Sequence, residues 1–125
     1  MERQVVTGPG LPPQIGPYSH AVRAGGMVYV SGQPGVHPET GEKSDDFGEQ
    51  ARQAFANLDA VLRAAGSRLD LVVSTTVLVT DIANFPVVNE LYAEFFPVDP
   101  PTRMVMQVPL PLGLLFSIGV VAVEA

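Results

Sequence analysis

A wide apolar stripe at helical spacing runs through residues 46–66. Alanine, phenylalanine, leucine and valine recur there every three or four residues, so one face of a helix can be buried. Asp46 and Glu49 fit an N-terminal capping box, and Gly66 supplies a stop at the C-terminal end. The segment therefore predicts a long amphipathic helix. Its stripe consists of Ala51, Ala54, Phe55, Leu58, Val61, Leu62 and Ala65.

A second, shorter apolar stripe predicts another helix near residue 90. Asn84 is placed to cap it, Pro86 stands in its first turn, where proline is tolerated, and Pro97 ends it. The expected inner face consists of Val88, Leu91, Tyr92 and Phe95. Two helices of this kind can cover one face of a sheet.

Runs rich in valine and threonine, separated by glycine and proline, predict the strands. Two of these runs are joined by Gly25 and Gly26, as is typical of a hairpin. A longer run that follows the first helix predicts a central strand, and two more runs follow the second helix. The full set is QVVT at the start, HAVRA, MVYVSG, LDLVVSTTVLVTD, MVMQV and LLFSIGVV.

This order of elements predicts a single two-layer α+β domain that spans residues 1–125. A sheet of five strands, or six if QVVT pairs with it, would be covered on one face by the two helices. The other face would need cover, and hydrophobic residues make up 46% of the chain. Both observations favour an oligomer whose subunits bury that face against one another.

The last predicted strand is apolar except at two positions. Side chains alternate between faces in a strand, so Phe116, Ile118 and Val120 share one face and Ser117 and Gly119 share the other. Two small residues side by side leave room for a large neighbour, or mark a place where a reactive side chain is missing.

Charge and composition exclude several classes of protein. Thirteen acidic residues stand against seven basic ones that are scattered along the chain, so nucleic acid is not an expected partner. The chain lacks cysteine and has only two histidines, which gives no pattern for a metal site or a thiol nucleophile. No apolar run is long enough to span a membrane, and the N-terminus lacks the pattern of a signal peptide, so a cytoplasmic location is expected.

Arg103 is the most conspicuous candidate for chemistry. It enters an apolar strand and has no acidic residue within three positions on either side. Three explanations stay open: a salt bridge within the fold, a contact at a subunit interface, or an anionic ligand. If a ligand is bound, the planar guanidinium suits a carboxylate, which it can hold by two parallel hydrogen bonds.

Several other residues are weaker candidates for a ligand site, because an ordinary structural role would also explain each of them. Tyr18 and His20 lie at the entry to the first hairpin, where a turn followed by a half-buried strand would account for both. Ser31 and Gly32 end a strand and would let backbone N–H groups approach a ligand. Asn89 would otherwise be a solvated position on the second helix. None of these signals is specific by itself.

Taken together, however, these segments resemble the Rid family, the reactive intermediate deaminases of YjgF type. The resemblance extends from about residue 15 to the C-terminus and rests on segments that occur in the family's order and spacing. They are GPYSHAV, MVYVSGQPGVHPETGE, QARQAFANLDAVLRAAG, VVSTTVLVTDIANFPVVNELYAEFF and PPTRMVMQVPLP. The resemblance implies a chorismate-mutase-like fold and a homotrimer with three ligand clefts between neighbouring subunits.

The resemblance also implies an activity and a set of site residues. Active members hydrolyse enamines and imines, such as 2-aminoacrylate, to 2-keto acids and ammonia without a cofactor or a metal. Arg103 resembles the arginine that grips the substrate carboxylate, and Tyr18 resembles the tyrosine that lines the cleft from the subunit next door. Ser31 and Gly32 match a Ser-Gly pair that approaches the substrate, and Asn89 matches an asparagine close to the site.

The last strand departs from the family pattern. Deaminases carry a sequence like IEIEA there, and its second glutamate helps to orient the attacking water. When the chain is aligned on its LP dipeptide at 110–111, Ser117 stands at the first glutamate and Gly119 at the second. His20, where relatives often have glutamine, is a candidate to replace the lost acid–base group. The small residues also widen the cleft, which favours a bulkier ligand.

Three functions therefore stay open. The first is hydrolysis of enamine or imine carboxylates, either weak or on a non-standard substrate. The second is a pathway-specific tautomerisation or cyclisation of a larger intermediate. The third is a trimer without catalytic activity that binds small carboxylates or partner proteins. Release of ammonia from imino acids would distinguish the first function from the other two.

Overall fold

The computed structural model describes residues 2–125 and shows one six-stranded sheet with two α-helices. The strands are β1 (Arg3–Val5), β2 (Ala21–Ala24), β3 (Met27–Pro34), β4 (Val72–Val79), β5 (Thr102–Gln107) and β6 (Phe116–Val123), and the helices are α1 (Phe47–Ala64) and α2 (Phe85–Phe95). The strand order is β1-β2-β3-β6-β4-β5, in which β4 and β5 are parallel and all other neighbours antiparallel. The predicted α+β arrangement is confirmed, including the additional strand at the start.

The pleat of β6 separates the two faces of the sheet as the sequence predicts. Phe116, Ile118 and Val120 are buried on the face that the helices cover, whereas Ser117 and Gly119 are only half-buried on the opposite face. The strand itself begins at Phe116, so the two leucines before it belong to the preceding loop. The two small residues therefore mark the uncovered side of the sheet.

We call this uncovered side the open face. The cross-strand register places on it Tyr29, Ser74, Thr76, Leu78, Met104, Met106, Ser117, Gly119 and Val121. Tyr29 is 49% exposed and Met104 is 58% exposed, so large apolar groups lie uncovered in the single chain. The predicted homotrimer would cover them, and this assembly stays a prediction.

Helix α1 lies against the sheet and supplies the centre of the core. Phe55 is fully buried and stacks on Phe95 of α2 with 4.7 Å between the ring centroids. Its ring also lies 5.6 Å from that of Phe116 in β6. These aromatic contacts connect both helices to the sheet and thereby fix α2 above it.

Helix α1 begins with a modified form of the predicted capping box. The Asp46 carboxylate accepts a hydrogen bond from the Glu49 N–H at 3.0 Å, as expected. The Glu49 carboxylate does not return to the Asp46 N–H; it accepts from the Ser44 hydroxyl, whose oxygen accepts from that N–H at 3.0 Å. Gly66, with φ of +78°, follows the last turn of the helix as predicted.

Helix α2 is not capped as the sequence suggests. Asn84 occupies the N-cap position, but its side chain makes no capping hydrogen bond. Asp81 instead accepts a hydrogen bond from the Ala83 N–H at 2.9 Å and so caps a 3₁₀ turn, Ile82–Asn84, that leads directly into the helix. The helix thus starts from a turn that is already ordered, which removes the need for an asparagine cap.

Gly35 is required where the chain leaves β3 and passes α1. A Cβ atom at this position would overlap the Gln50 carbonyl oxygen, which is held in the helix backbone. We expect Gly35→Ala to lower the free energy of unfolding by about 3 kcal/mol, because the helix or the loop must move. Urea denaturation would measure the loss. Gly8→Ala is the matched control, because a Cβ there meets nothing within 4 Å, and an equal loss in both variants would contradict the assigned clash.

Candidate functional site

Arg103 lies on the edge strand β5, on the side of the sheet that faces α2. Its register partner in β4 is Thr75, a buried residue of the helix-covered face. One guanidinium nitrogen, Nη1, donates a hydrogen bond to the Asn89 side-chain oxygen of α2 at 2.8 Å. The guanidinium carbon lies 4.9 Å from the ring centroid of Tyr92 and 5.2 Å from that of Phe85. Both distances are within the range of cation–π attraction.

The guanidinium of Arg103 keeps most of its hydrogen-bonding capacity. Arginine has five N–H donors, and the hydrogen bond found for this side chain uses one of them. Within residues 2–125, the ion pairs join other residues, so a salt bridge inside the chain does not explain Arg103. A groove of about 480 Å³ adjoins its side chain. The groove is lined by Asn89, Tyr92, Ala93, Phe96, Pro97, Pro100, Pro101 and Arg103.

Tyr92 is buried beneath Arg103, and its hydroxyl group has a defined partner. The hydroxyl oxygen lies 2.8 Å from the Thr75 hydroxyl, which donates to the Thr102 carbonyl at 3.0 Å. Since the single Thr75 proton is engaged there, Tyr92 is the donor in the first of these bonds. Burial raises the pKa of the Tyr92 phenol and outweighs the opposing effects of the Thr75 hydrogen bond and the Arg103 charge. The ring is therefore neutral at physiological pH.

A second group of predicted site residues surrounds an irregularity in β3. The register between β3 and β6 shifts between Val30 and Gln33, where two residues of β3, Ser31 and Gly32, stand opposite one residue of β6, Gly119. The Ser31 N–H donates to the His20 carbonyl at 2.9 Å, and the Ser31 hydroxyl donates to the Ser19 carbonyl at 2.7 Å. These bonds fix a bulge inside β3, which continues to Pro34, so the prediction that Ser31 and Gly32 end the strand is wrong. The bulge interrupts the pairing with β6 and leaves backbone groups accessible at this point.

Ser117 and Gly119 of β6 lie directly beside this bulge. A Cβ atom at Gly32 would come to 2.6 Å from the Ser117 hydroxyl oxygen. A Cβ atom at Gly119 would lie 3.3 Å from the Val30 carbonyl oxygen and 3.4 Å from the Gly32 nitrogen. The structure therefore brings the Ser-Gly pair together with Ser117 and Gly119, the two positions that the family resemblance aligns with glutamates. The short distance to Ser117 favours glycine at position 32. A side chain at position 119 would fit only if the neighbouring backbone moved by a few tenths of an ångström.

The depression over Gly119 contains hydroxyl groups and no carboxylate among its lining residues. Its volume is about 380 Å³. Its polar side chains are Ser19, Tyr29, Ser31, Ser74 and Thr76, and valines form most of the remainder. Hydroxyl groups can orient a water molecule, but they exchange protons poorly near neutral pH.

His20 is 4% exposed and both of its ring nitrogens have partners. Nε2 lies 2.7 Å from the Pro12 carbonyl oxygen, which can only accept, so this nitrogen carries the proton. Nδ1 lies 3.3 Å from the Gln33 amide nitrogen, which donates to it. The ring of Tyr18, which is half-buried, packs edge-on at 5.9 Å between centroids. This geometry gives no support to His20 as a substitute for the missing glutamate, because no ring nitrogen is free to contact a ligand.

The predicted site residues thus form two separate groups within one chain. Asn89 and Arg103 lie on the helix side of β5, whereas Ser31, Gly32 and Gly119 lie at the open face near β3 and β6. Strand β4 stands between β6 and β5 in the sheet. A site that uses both groups would have to draw them from two subunits, which agrees with the predicted intersubunit cleft.

Phe85 and Tyr92 are contacts of Arg103 that sequence reasoning missed. The sequence assigned Tyr92 to the core and gave Phe85 no role. The signal for both was present, because Phe85, Asn89 and Tyr92 have the spacing i, i+4, i+7 and share one face of a helix. Once Asn89 is a candidate, the aromatic residues on its face become candidates as well.

No group of three or more histidine, aspartate or glutamate side chains is arranged to hold a metal ion among residues 2–125. In the same part of the chain, no helix combines the length and the apolar character that crossing a membrane requires.

Comparison with known proteins finds relatives along nearly the whole chain. A family sequence model described as endoribonuclease L-PSP matches residues 11–124. The human protein named 2-iminobutanoate/2-iminopropanoate deaminase is 41% identical over 124 residues, which cover 98% of this chain and 90% of that protein.

Solved structures agree with the sequence comparison. The Rid family protein YyfA from Yersinia pestis has a TM-score of 0.93 at 39% identity, with 98% of this chain and 99% of that chain covered. The E. coli protein TdcF, solved with bound serine, has a TM-score of 0.91 at 36% identity, with 98% and 99% covered. The fold, the family model and the relatives all agree, and the chain belongs to the Rid family of YjgF-type proteins, which the endoribonuclease L-PSP model describes.

Proposed function

We propose that this protein hydrolyses enamine or imine carboxylates to 2-keto acids and ammonia, in clefts between the subunits of a homotrimer. The observation that carries the proposal is the Arg103 guanidinium, which is exposed, held by Asn89 and two aromatic rings, and without a carboxylate partner in residues 2–125. The name of the human relative specifies substrates in which an imine stands next to a carboxylate.

Arg103 would fix the substrate by its carboxylate, which accepts two parallel hydrogen bonds from the guanidinium. Asn89 then acts through Arg103, because its oxygen already accepts from Nη1. The bulge at Ser31 and Gly32, from the neighbouring subunit, would lie against the reacting end of the substrate, and Tyr18 would close the cleft beside it. Orientation alone accounts for a large part of the rate enhancement in reactions of this kind.

An enamine first tautomerises to the imine, as a proton leaves the nitrogen and one is added to the β-carbon. From the imine, the chemistry consists of two steps that each move a proton. Water adds to the C=N carbon, so that a C–O bond forms while the nitrogen takes up a proton. The resulting carbinolamine loses its hydroxyl proton as the C–N bond breaks, which leaves a 2-keto acid and ammonia. A positioned acid–base group accelerates such steps by about 10²–10⁴-fold. Because the resemblance aligns Ser117 and Gly119 with the two glutamates of the deaminases, we propose weak hydrolysis or a non-standard substrate.

The hydroxyl-lined depression over Gly119 supports a second candidate function. It offers about 380 Å³ of space and no acid among its lining residues, which suits binding of a larger molecule better than proton transfer. On this alternative the protein promotes tautomerisation or cyclisation of a larger intermediate, or binds small carboxylates without turnover. Arg103 would hold the carboxylate in each case.

Nucleic acid is not part of the proposal, although the family model carries an endoribonuclease name. Three of the seven basic residues, Arg52, Arg63 and Arg68, are paired with carboxylates. Paired guanidinium groups contribute little to binding a phosphate backbone, and the net charge of −6 opposes it.

A coupled assay tests hydrolysis directly. An amino-acid oxidase would generate short-lived imines from amino acids with small and large side chains, and semicarbazide would trap the imine that remains. We expect the protein to reduce semicarbazone formation in proportion to its concentration. Semicarbazone formation equal to buffer for every side chain would refute hydrolysis and leave the second candidate.

His20→Gln is expected to leave kcat/KM for imine hydrolysis within about threefold of wild type, in contrast to the loss of about 10²–10⁴-fold expected for an acid–base residue. Glutamine can still donate to the Pro12 carbonyl and accept from Gln33, so the buried contacts of His20 persist. The same semicarbazide assay provides the measurement. A loss of 100-fold or more, about the effect of one acid–base group, with an unchanged melting temperature would show that His20 transfers protons after all.

A further inference from the structure

We propose that Tyr92, assisted by Phe85, is the positioning residue that orients Arg103 for carboxylate binding. The consequence for catalysis rests on the proposed function, but the positioning itself is a property of this chain. Tyr92 contacts Arg103 and not the reacting atoms, so its role is exerted through the guanidinium.

The first observation is the location of two aromatic rings at the guanidinium. The guanidinium carbon of Arg103 lies 4.9 Å from the centroid of Tyr92 and 5.2 Å from that of Phe85. A long, exposed arginine side chain otherwise samples many rotamers, and ordering it on binding reduces affinity. Rings at these distances favour one position of the cation before a ligand arrives.

The second observation is that Tyr92 is tied to the strands on both sides of Arg103. Its hydroxyl donates to Thr75, which is the register partner of Arg103 in β4. The Thr75 hydroxyl donates in turn to the carbonyl of Thr102, the residue before Arg103. These hydrogen bonds place the ring against both strands, and its burial in the core beside Phe96 keeps it there when the hydroxyl is removed.

The third observation is that three residues of α2 contact the Arg103 guanidinium in different ways. Asn89 accepts from Nη1 at 2.8 Å and sets the direction of one edge of the guanidinium. Phe85 and Tyr92 lie one turn before and about one turn after it and contact the cation through their rings. Together they leave the remaining N–H donors free for a bidentate carboxylate.

The test compares variants that remove the ring with variants that keep it. The ligand is 2-oxobutanoate, titrated calorimetrically into the full chain, with neutral 2-oxobutanamide as the uncharged probe. Tyr92→Leu and Phe85→Leu remove one ring each and are expected to weaken 2-oxobutanoate binding about tenfold for Tyr92, with a smaller loss for Phe85. Tyr92→Phe keeps the ring, so binding should stay within about twofold.

Two controls separate positioning from stability. Thr75→Val removes the hydrogen bond between the Thr75 and Tyr92 hydroxyl groups but keeps the Tyr92 ring. Leu91→Ala weakens the packing of the buried face of α2 and leaves both aromatic rings at Arg103 in place. Both should lower the melting temperature yet bind 2-oxobutanoate much better than Tyr92→Leu does. Equal losses of affinity in Leu91→Ala and Tyr92→Leu would overturn the proposal, as would wild-type affinity in Tyr92→Leu.

A second readout does not depend on ligand binding. The ¹⁵N order parameter of the Arg103 Nε–H group should fall below about 0.6 in Tyr92→Leu and stay high in Tyr92→Phe. If wild type failed to bind 2-oxobutanoate, the proposed function would fail while this measurement still decided the positioning role. An unchanged order parameter in Tyr92→Leu would refute that role.

Discussion

Arg103→Ala is expected to reduce kcat/KM for imine hydrolysis by about 10²–10⁴-fold, since two hydrogen bonds to a charged group contribute about 1.5–3 kcal/mol each. The side chain is exposed and lies on an edge strand, so its removal should leave the fold intact. The N–H groups of Arg103 that do not bind Asn89 are the charged donors that the candidate site offers to a substrate carboxylate. The oxidase-coupled semicarbazide assay gives the rate, and the melting temperature verifies that the variant is folded.

Two further variants make this expectation specific. Arg103→Lys keeps the charge but loses the planar fork, so we expect it to recover only part of the activity. Arg52→Ala is the matched control, because Arg52 is also exposed and pairs with Glu94, and neither residue lines the groove beside Arg103. Wild-type activity in Arg103→Ala, or equal losses in Arg52→Ala and Arg103→Ala, would show that Arg103 does not bind the substrate.

The predictions that succeeded depend on local sequence. The stripe of α1 and its stop at Gly66, the hairpin at Gly25 and Gly26, and the alternation along β6 each follow from periods or from single residues with special backbone preferences. The sequence predicts two helices, and the alternation of side chains along β6 separates two faces of the sheet. Cover of one face by the helices was expected for this reason. The fold and the separation of the two faces could therefore be read from the sequence.

The predictions that were incomplete depend on contacts between distant segments. His20 has a suitable chemistry, but its role is decided by Pro12 and Gln33, which take both ring nitrogens. Asn84 has the right type for a cap, yet the turn that precedes α2 is capped by Asp81. In each case the residue type was compatible with two roles, and only the three-dimensional neighbours distinguish them.

Arg103 is another residue whose role depends on contacts between distant segments. The sequence left open a salt bridge, an interface contact and a ligand, and the structure supplies no carboxylate partner within residues 2–125. The aromatic rings that contact its guanidinium come from a helix whose inner face was assigned to the core alone. The motifs therefore identified Arg103 as a candidate site residue, whereas the contacts that support it required the coordinates of α2 relative to β5.

Gly119→Glu is expected to raise kcat for imine hydrolysis by about 10²-fold, the low end of the effect of a positioned acid–base group. The carboxylate would extend from β6 into a depression lined by hydroxyl groups, next to the Gly32 N–H. Its Cβ would lie 3.3 Å from the Val30 carbonyl oxygen and 3.4 Å from the Gly32 nitrogen, so the bulge must shift by a few tenths of an ångström. This adjustment is the reason for expecting the lower end of the range.

Gly119→Gln is the decisive comparison, because glutamine has nearly the same size and causes the same shift of the bulge but cannot transfer a proton. We expect its kcat to equal or fall below that of wild type, while Gly119→Glu alone acquires an acidic limb in the pH profile of kcat. Equal rates in the two variants would mean that residue 119 does not face the reacting atoms. A gain confined to glutamate would show that the missing carboxylate is what limits hydrolysis in this protein.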